Sequence, residues 1–379
     1  MAKLIDITGK AISGEWGTDD LVGNGVPVLR TTNFTNIGVV NFNNVVTRQI
    51  VKKSISEKLL RYGDIIIEKS GGSDKQPVGR VVFFEGENNK YLFNNFTGLL
   101  RVRDFCKWNP KYIFYSLFSN YANGGTIPFE NRTTGLHNLQ TDSYVNSVMI
   151  VERKIEEQTD IVTILDKVNQ LINYEKKQLE DLDILVKSRF VEMFGDPVTN
   201  PLHWPICLLG EQIKFITSGS RGWAKYFTND GAYFITIKNV KNSNIKIDDM
   251  QYIIPPNNAE AIRTKVQEGD LLISITADLG RTGVVSKEIA EHGGYINQHL
   301  TCVRLNQENV NPLYVSYYME SEAGKRQFNL KNQSAVKAGL NFESIRSLNL
   351  MLPPIELQHD YISFVKQVDK SKFVVTAKF

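Results

Sequence analysis

The chain has 379 residues, which is too long for one ordinary hydrophobic core and fits two domains with connecting structure. Its composition, 42% hydrophobic and 22% charged, is that of a soluble globular protein, and no segment is apolar for long enough to span a membrane. The net charge of +3 is too small to indicate a nucleic-acid-binding protein by itself. The N-terminus lacks a signal-peptide pattern and the three cysteines lie far apart, so we expect a cytoplasmic protein without disulfides, metal or cofactor.

The second half of the chain repeats the first at an offset of about 200 residues, with the matching segments in the same order. In each copy a glycine turn precedes a short strand and a polar loop, and a Gly-Asp turn later precedes an apolar strand. An Asn-Pro helix start follows in each. The matching segments are 25–33 and 231–239, 62–67 and 268–273, 94–103 and 297–306, and 109–112 and 311–314. A repeat of this length predicts a duplicated domain.

Between the copies, residues 155–194 contain neither Gly nor Pro, and apolar residues recur every three or four positions. This pattern predicts one long amphipathic helix. At 1.5 Å per residue it spans roughly 60 Å, so its apolar stripe, which includes Ile161, Val168 and Leu182, needs a partner helix. Residues 152–195 hold ten acidic and seven basic side chains, net −3, so the rest of the chain carries +6.

A second helix is predicted after the second copy. It begins in the segment Leu352-Pro353-Pro354-Ile355-Glu356-Leu357-Gln358, where Pro can occupy the first turn, and Ile362 and Val365 lie on its apolar stripe. This segment has only about 24 residues against about 40 in the central helix. We therefore expect one chain to leave part of the central stripe for a partner subunit or a second copy.

The order of domain, long helix, domain and helix, with the 352–358 segment and a Gly-Asp strand in each copy, resembles the specificity subunits of type I restriction-modification systems. The resemblance covers essentially the whole chain. It implies an α+β fold in which two tandem target-recognition domains are joined by long coiled-coil helices in a pseudo-two-fold arrangement. The implied parts are the recognition domains 1–151 and 196–352, the central spacer helix 152–195 and the short C-terminal spacer helix 353–379.

The resemblance also implies partners and a role. In that family each recognition domain reads one half of a split site in double-stranded DNA, and the helices dock methyltransferase (modification) subunits. Restriction and translocase subunits complete the assembly. The specificity subunit itself carries no catalytic residue.

Enzyme motifs are absent from the sequence, in agreement with a non-catalytic role. There is neither the Asn/Asp/Ser-Pro-Pro-aromatic motif of amino-methyltransferases nor a phosphate-binding Gly-x4-Gly-Lys-Ser/Thr loop. The five histidines lack metal-ligand spacing. Asp64, Glu68 and Lys69 have the wrong spacing for a nuclease triad.

Candidate DNA contacts lie in the loops that follow equivalent strands, because phosphates need Lys or Arg and base edges are read by polar side chains on exposed loops. The candidates in the first copy are Thr31, Thr32, Asn33, Lys69, Ser70, Lys75, Arg132 and Thr133. Those in the second copy are Lys238, Asn239, Thr276, Arg281, Gln298 and Lys337. The strands match while the loop residues differ, which predicts an asymmetric bipartite target. Asn95 and Phe96 stand where the second copy has Gln298 and His299, which indicates either divergent readout or packing.

An alternative interpretation is a tandem module that binds a glycan or a protein and has a helical spacer. Trp16 and Trp223 occupy Gly-rich early loops in the two copies, and exposed aromatic pairs are typical of glycan-binding sites. The expected cytoplasmic location argues against it. A third interpretation is a bifunctional restriction enzyme, but the sequence lacks the catalytic domain that such an enzyme requires.

Overall fold

A computed structural model of the protein describes residues 1–50, 55–133, 136–219, 221–332 and 339–376. The chain divides into two compact units, and the division falls after Asn173, inside a long helix. Each unit combines short strands with helices, so the predicted α+β class is confirmed. Within the described ranges no helix has the length and apolar character that a membrane span requires.

The first unit consists of strand-rich structure followed by the start of the long helix. Its strands are β1 (Ala2–Lys3), β2 (Ile12–Ser13), β3 (Thr18–Asp19), β4 (Val26–Leu29), β5 (Val46–Gln49), β6 (Ile65–Glu68), β7 (Ser70–Gly72), β8 (Val81–Phe83), β9 (Leu92–Phe93), β10 (Thr97–Leu100), β11 (Glu130–Thr133), β12 (Leu136–Leu139) and β13 (Met149–Ile150). Its helices are α1 (Leu4–Thr8), α2 (Pro110–Ala122), α3 (Thr141–Ser147) and the first part of α4 (Ile155–Phe194). The bounds of α4 confirm the predicted long helix.

The second unit contains the rest of α4 and a second set of strands and helices. Its strands are β14 (Ile206–Leu208), β15 (Ile213–Ser218), β16 (Phe227–Thr228), β17 (Ala232–Ile235), β18 (Val240–Lys241), β19 (Asn244–Ile245), β20 (Gln251–Ile253), β21 (Leu271–Ser274), β22 (Thr282–Val284), β23 (Gly294–Ile296), β24 (Leu300–Leu305) and β25 (Asn349–Met351). Its further helices are α5 (Ala259–Thr264), α6 (Lys287–His292), α7 (Pro312–Glu320), α8 (Glu322–Lys331), α9 (Phe342–Arg346) and α10 (Ile355–Thr376).

The two four-stranded sheets of each unit share their strand orders. In the first unit one sheet has the strand order β2-β10-β6-β8, and another has the order β3-β5-β4-β9 with β4 and β9 parallel. The second unit repeats these orders as β15-β24-β21-β22 and β16-β20-β17-β23, with β17 and β23 parallel. In each unit a short antiparallel pair joins an early strand to a late one, β1 to β13 and β14 to β25. The repeat in the sequence is therefore a repeat of fold.

A buried arginine–aspartate pair explains the Gly-Asp motif of each copy. Asp64 accepts two hydrogen bonds from Arg101, both at 2.7 Å, and Asp270 accepts two from Arg304, both at 2.8 Å. Each aspartate also accepts the backbone N–H three residues before it, which closes the turn. The hydrogen bond with Asp270 raises the pKa of Arg304. Because a buried carboxylate needs a cation and hydrogen-bond donors, this pair links the turn to the neighbouring strand at the centre of the sheet.

We predict that Asp270→Asn lowers the free energy of unfolding of the second unit by about 2 kcal/mol. The guanidinium of Arg304 would lose its carboxylate, and the loss is smaller than for a fully buried pair because Arg304 is 27% exposed. Urea denaturation of the full chain measures the change. Glu322→Gln removes the exposed ion pair with Arg326 and serves as the control, with an expected change below about 0.5 kcal/mol. Equal effects of the two substitutions would contradict the prediction.

Each end of α4 packs against a different hydrophobic core. In the first unit Val162 is buried among the apolar side chains of that unit, and Ile161 packs beside it. In the second unit Val186, Phe190 and Phe194 are buried in a cluster with residues of the sheet and of α10. The helix is thus part of both units.

Helix α10 runs antiparallel to the second half of α4. The rings of Phe190 and Tyr361 meet edge to face at 5.4 Å, whereas Lys372 pairs with Asp183 at 2.7 Å, so residue numbers rise along one helix as they fall along the other. Of the residues predicted for helix pairing, Ile362 and Val365 of α10 are buried in this cluster, and Leu182 of α4 packs against it.

The first half of α4 carries an apolar stripe that stays exposed. Ile164, Val168 and Leu171 are 61%, 45% and 60% exposed, although they follow one another at helical spacing. Val168 was predicted for helix pairing and lies on this stripe. Helix α10 has 22 residues and α4 has 40, so α10 is too short to cover the whole of α4. That a partner subunit or a second copy covers the remainder stays a prediction.

A fully buried glutamine in the first turn of each spacer helix anchors that helix to its unit. The side-chain oxygen of Gln158 accepts the backbone N–H of Asn109 at 2.9 Å, and that of Gln358 accepts the N–H of Asn311 at 2.8 Å. Both side-chain amides donate to backbone carbonyls as well. Asn109 and Asn311 are also the N-caps of α2 and α7, as the Asn-Pro motif predicts. The glutamine therefore joins two helix starts.

We expect Gln358→Ala to cost about 2 kcal/mol of stability, because it leaves buried backbone groups without hydrogen-bond partners. Hydrogen exchange of the α10 amides should accelerate. Gln367→Ala, at an exposed position of the same helix, is the matched control and should change neither quantity by more than a small fraction. Unchanged exchange in Gln358→Ala would show that the glutamine does not anchor the helix.

Candidate nucleic-acid interface

The candidate loops of the first unit follow strands of both four-stranded sheets and meet at one edge of the unit. The backbone N–H groups of Lys69 and Ser70 donate to the carbonyl of Phe96 at 2.8 and 3.2 Å. The guanidinium of Arg80 donates to the carbonyl of Thr31 at 3.4 Å. Hydrogen bonds between main-chain and side-chain atoms thus bring three loops together that are distant in the sequence.

The hairpin of β11 and β12 extends this edge. Strand β12 pairs with β7, and β11 pairs with β12 so that Arg132 lies opposite His137. Arg132 and Thr133 therefore belong to β11, while their side chains fall outside the described part of the structure, as does the whole of Lys337. The Ser-Gly-Gly run of β7 has weak strand propensity, and it is extended because pairing with β12 imposes that backbone.

The second unit repeats the main-chain frame with other side chains. The N–H of Ile275, which follows β21, donates to the carbonyl of His299 at 3.0 Å, as the N–H of Lys69 after β6 donates to Phe96. The residue at the end of β21, Ser274, donates its N–H to the carbonyl of Arg281, the residue just before the return strand β22, at 2.9 Å. The equivalent bond of the first unit, from the end of β6, measures 2.8 Å. The loops differ in length and composition, but the strand ends that hold them are the same.

Three polar side chains meet at the edge of the second unit. The hydroxyl of Thr276 lies 2.7 Å from Nδ1 of His299, and the side-chain nitrogen of Gln298 lies 3.0 Å from Nε2 of the same ring. All three residues are half-buried. A hydroxyl, an imidazole and an amide held together offer the donors and acceptors that base edges pair with.

Two of the predicted residues hold the turns that carry their neighbours. Asn33 and Asn239 are buried, and each side-chain oxygen accepts the backbone N–H of the residue three positions earlier, at 3.0 and 2.9 Å. Their amides donate to backbone carbonyls farther along the chain. Thr32 and Lys238, on the same two turns, are exposed, and Thr31 is half-buried.

The predicted cationic side chains differ in their exposure and in their hydrogen bonds. The ammonium of Lys69 donates to the hydroxyl of Ser13 at 3.0 Å, and burial lowers the pKa of Lys69. Lys75 and Lys238 are exposed. Phosphate contacts need long, mobile cations at the surface, which Lys75 and Lys238 provide better than Lys69.

A groove of about 340 Å³ in the second unit contains two cations that the sequence analysis missed. Lys241 and Lys325 line it together with Arg281, which forms an ion pair with Asp278. Lys325 lies 3.8 Å from Glu320. Lys325 belongs to α8, so no local sequence signal places it near Arg281.

A buried polar residue at the end of the central strand holds the candidate loop in each unit. Glu68 is 2% exposed and accepts two hydrogen bonds from Arg80, both at 2.9 Å, and this hydrogen bonding raises the pKa of Arg80. In the second unit the hydroxyl of Ser274 accepts the N–H of Arg281 at 2.9 Å. The loops are therefore fixed at their bases by residues that face inward.

The two tryptophans behind the alternative interpretation do not form equivalent exposed rings. Trp223 is 3% exposed and stacks on Phe234 with ring centroids 5.6 Å apart. Trp16 is half-buried under the guanidinium of Arg48 at 4.2 Å. The glycan-binding interpretation loses the feature that favoured it. Among the described residues, no three His, Cys, Asp or Glu side chains are grouped to hold a metal ion.

Comparison with known proteins decides between the interpretations. Residues 213–377 match a family model described as the type I restriction modification DNA specificity domain. The chain is similar in sequence to type I specificity subunits. The specificity subunit of the type I restriction enzyme EcoBI from Escherichia coli is 21% identical over 199 residues, which cover 51% of this chain and 38% of that subunit. The specificity subunit of StySPI from Salmonella potsdam is 23% identical over 364 residues, covering 90% of this chain and 75% of that subunit.

A solved structure of the type I restriction-modification S subunit from M. genitalium shares the fold. The two chains superimpose with a TM-score of 0.57 at 13% identity, over 100% of this chain and 91% of that one. The family resemblance predicted from the sequence is confirmed. The tandem glycan- or protein-binding module is not favoured.

We predict that Glu68→Ala loosens the loop 69–77 without removing a residue of its exposed surface. The half-buried guanidinium of Arg80 would lose its carboxylate partner, at a cost of about 2 to 3 kcal/mol. Backbone amides of the loop should exchange with solvent about tenfold faster or more. Glu87→Ala, which removes an exposed ion pair with Lys90, is the control. Exchange at the same rate in both variants would exclude the proposed fixing of the loop.

Proposed function

We propose that this chain is the DNA-specificity subunit of a type I restriction-modification complex. In this role it reads an asymmetric bipartite site in double-stranded DNA and docks the methyltransferase subunits, and restriction and translocase subunits join the same assembly. The observation that carries the proposal is the repeated main-chain frame that holds different side chains at its edge. The curated relatives are named as specificity subunits, which supports the assignment.

The repeated frame favours a reader with two different half-sites. The strand ends of the two units form the same main-chain hydrogen bonds, so the loops that follow them lie at equivalent positions. Both units are therefore suited to the same kind of ligand. The loop side chains differ: Lys69 and Phe96 in the first unit correspond to Ile275 and His299 in the second. Because base edges differ in their donors, acceptors and methyl groups, different side chains on one frame select different bases.

We assign the candidate residues to two kinds of contact. Cations contact phosphates and set the register, whereas polar side chains contact base edges. The phosphate contacts are Lys69, Lys75, Arg132, Lys238, Arg281 and Lys337. The base contacts are Thr31, Thr32, Ser70, Thr133, Thr276 and Gln298, and Asn33 and Asn239 position the turns beside them.

The spacer helices provide the surface for the modification subunits. Helix α4 presents the exposed stripe of Ile164, Val168 and Leu171, an apolar surface of the kind that marks a protein contact. We propose that the chain contributes no catalytic residue and that methyl transfer and cleavage belong to its partners.

Genome-wide methylation maps of the source organism, with this gene intact and deleted, test the proposal. We expect one split motif, with two different halves and an unread spacer, to be methylated only when the gene is intact. Identical methylation in both strains would overturn the proposed function. A single continuous motif would contradict the bipartite arrangement.

Lys238→Ala tests a phosphate contact separately from base reading. Loss of one contact should reduce the slope of log affinity against log salt by about 1, and weaken binding to all sequences alike. Gel shifts over a range of salt concentrations measure this slope. Lys287→Ala on α6, exposed but away from the candidate loops, is the control and should leave the slope unchanged. A change in sequence preference would assign Lys238 to base reading instead.

A further inference from the structure

Phe96 and His299 occupy the same place in the two units. Each immediately precedes the strand residue that pairs with the end of the central strand, Thr97 opposite Glu68 and Leu300 opposite Ser274. Each also accepts, on its backbone carbonyl, the N–H of the residue after the central strand, at 2.8 and 3.0 Å. The two side chains therefore leave the frame from equivalent backbone positions.

Phe96 is not part of a core. Its side chain is 53% exposed, whereas Phe93, three residues earlier, is fully buried. The backbone at Phe96 is held by two hydrogen bonds, from Lys69 and Ser70. A large apolar side chain is thus kept at the surface, on the edge that carries the candidate DNA contacts.

The equivalent position of the second unit carries a hydrogen-bonding group. The ring of His299 contacts Thr276 and Gln298 through its two nitrogens. If both positions face the same kind of ligand surface, that surface offers polar groups to His299 and an apolar group to Phe96. In the major groove the base edges present donors, acceptors and one apolar group, the C5-methyl of thymine.

We propose that Phe96 is a specificity-determining residue that contacts a thymine methyl group in the half-site of the first unit. In the second unit the hydroxyl of Thr276 and the amide of Gln298, both held by the ring of His299, read the half-site by hydrogen bonds. The two units thus read DNA by different chemistry from one backbone position. This inference rests on the proposed function and adds the chemical group that one half-site must contain.

The test uses the full chain in complex with its methyltransferase subunits. A random double-stranded DNA library first yields the motif bound by the wild-type complex. Each thymine of that motif is then replaced by deoxyuridine, which removes only the methyl group. We expect one replacement, in one half-site, to weaken binding about fourfold, as loss of one buried methyl group predicts.

Phe96→Ala should abolish this discrimination, so that thymine and deoxyuridine at that position bind equally. Phe96→Leu should retain part of it, because Leu still offers an apolar contact. Selection with His299→Ala should change the preference in the other half-site only. Phe105→Ala, at another exposed phenylalanine of the first unit, is the matched control and should leave the discrimination intact.

Two results would overturn the inference: a first-unit half-site without thymine, or a Phe96→Ala complex that keeps the wild-type ratio of affinities for the thymine and deoxyuridine probes, even if it binds both more weakly. A wild-type complex that selects no split motif would overturn the proposed function itself. The two failures are therefore distinguishable in one series of measurements.

Discussion

The pairing of a buried aspartate with an arginine from the neighbouring strand is the constraint on which each unit depends. Asp64 with Arg101, and Asp270 with Arg304, join the Gly-Asp turn to the middle of the sheet. A carboxylate in this environment is stable only while its partner holds it, so the register of the two strands is fixed. That register in turn sets where the strands end, and the candidate loops begin at these ends.

Parts of this arrangement follow from the sequence because they depend on local chemistry. The Gly-Asp turn, the Asn-Pro helix start and the long helix from Ile155 to Phe194 all rest on short-range preferences that neighbouring residues express. The repeat also predicts that the two copies share a fold. The fully buried Gln158 and Gln358 lie at matching sequence positions, but only the structure shows that each joins two helix starts.

The rest depends on contacts between distant residues. Strand β7 forms because β12 pairs with it, against the weak strand propensity of its Ser-Gly-Gly sequence. Asn33 has an amide side chain of the kind that pairs with base edges, yet the turn that forms around Asn33 buries this amide. Lys325 reaches the groove of Arg281 through the packing of α8. Residue type and spacing indicate which side chains are suited to DNA, while exposure, which only the fold determines, separates the proposed contact residues from those that position them.

The frame at each strand end is built from backbone N–H and carbonyl groups, which any residue except proline supplies in full. Side chains at positions such as Phe96 and His299 therefore take little part in holding the fold, and mutation is free to alter them. Under the proposed function, stability and target choice are inherited through separate sets of residues. A lineage that carries this chain then has a short evolutionary route to a new target, because the proposed reading residues at the loop edge can be substituted while the buried pairs stay as they are.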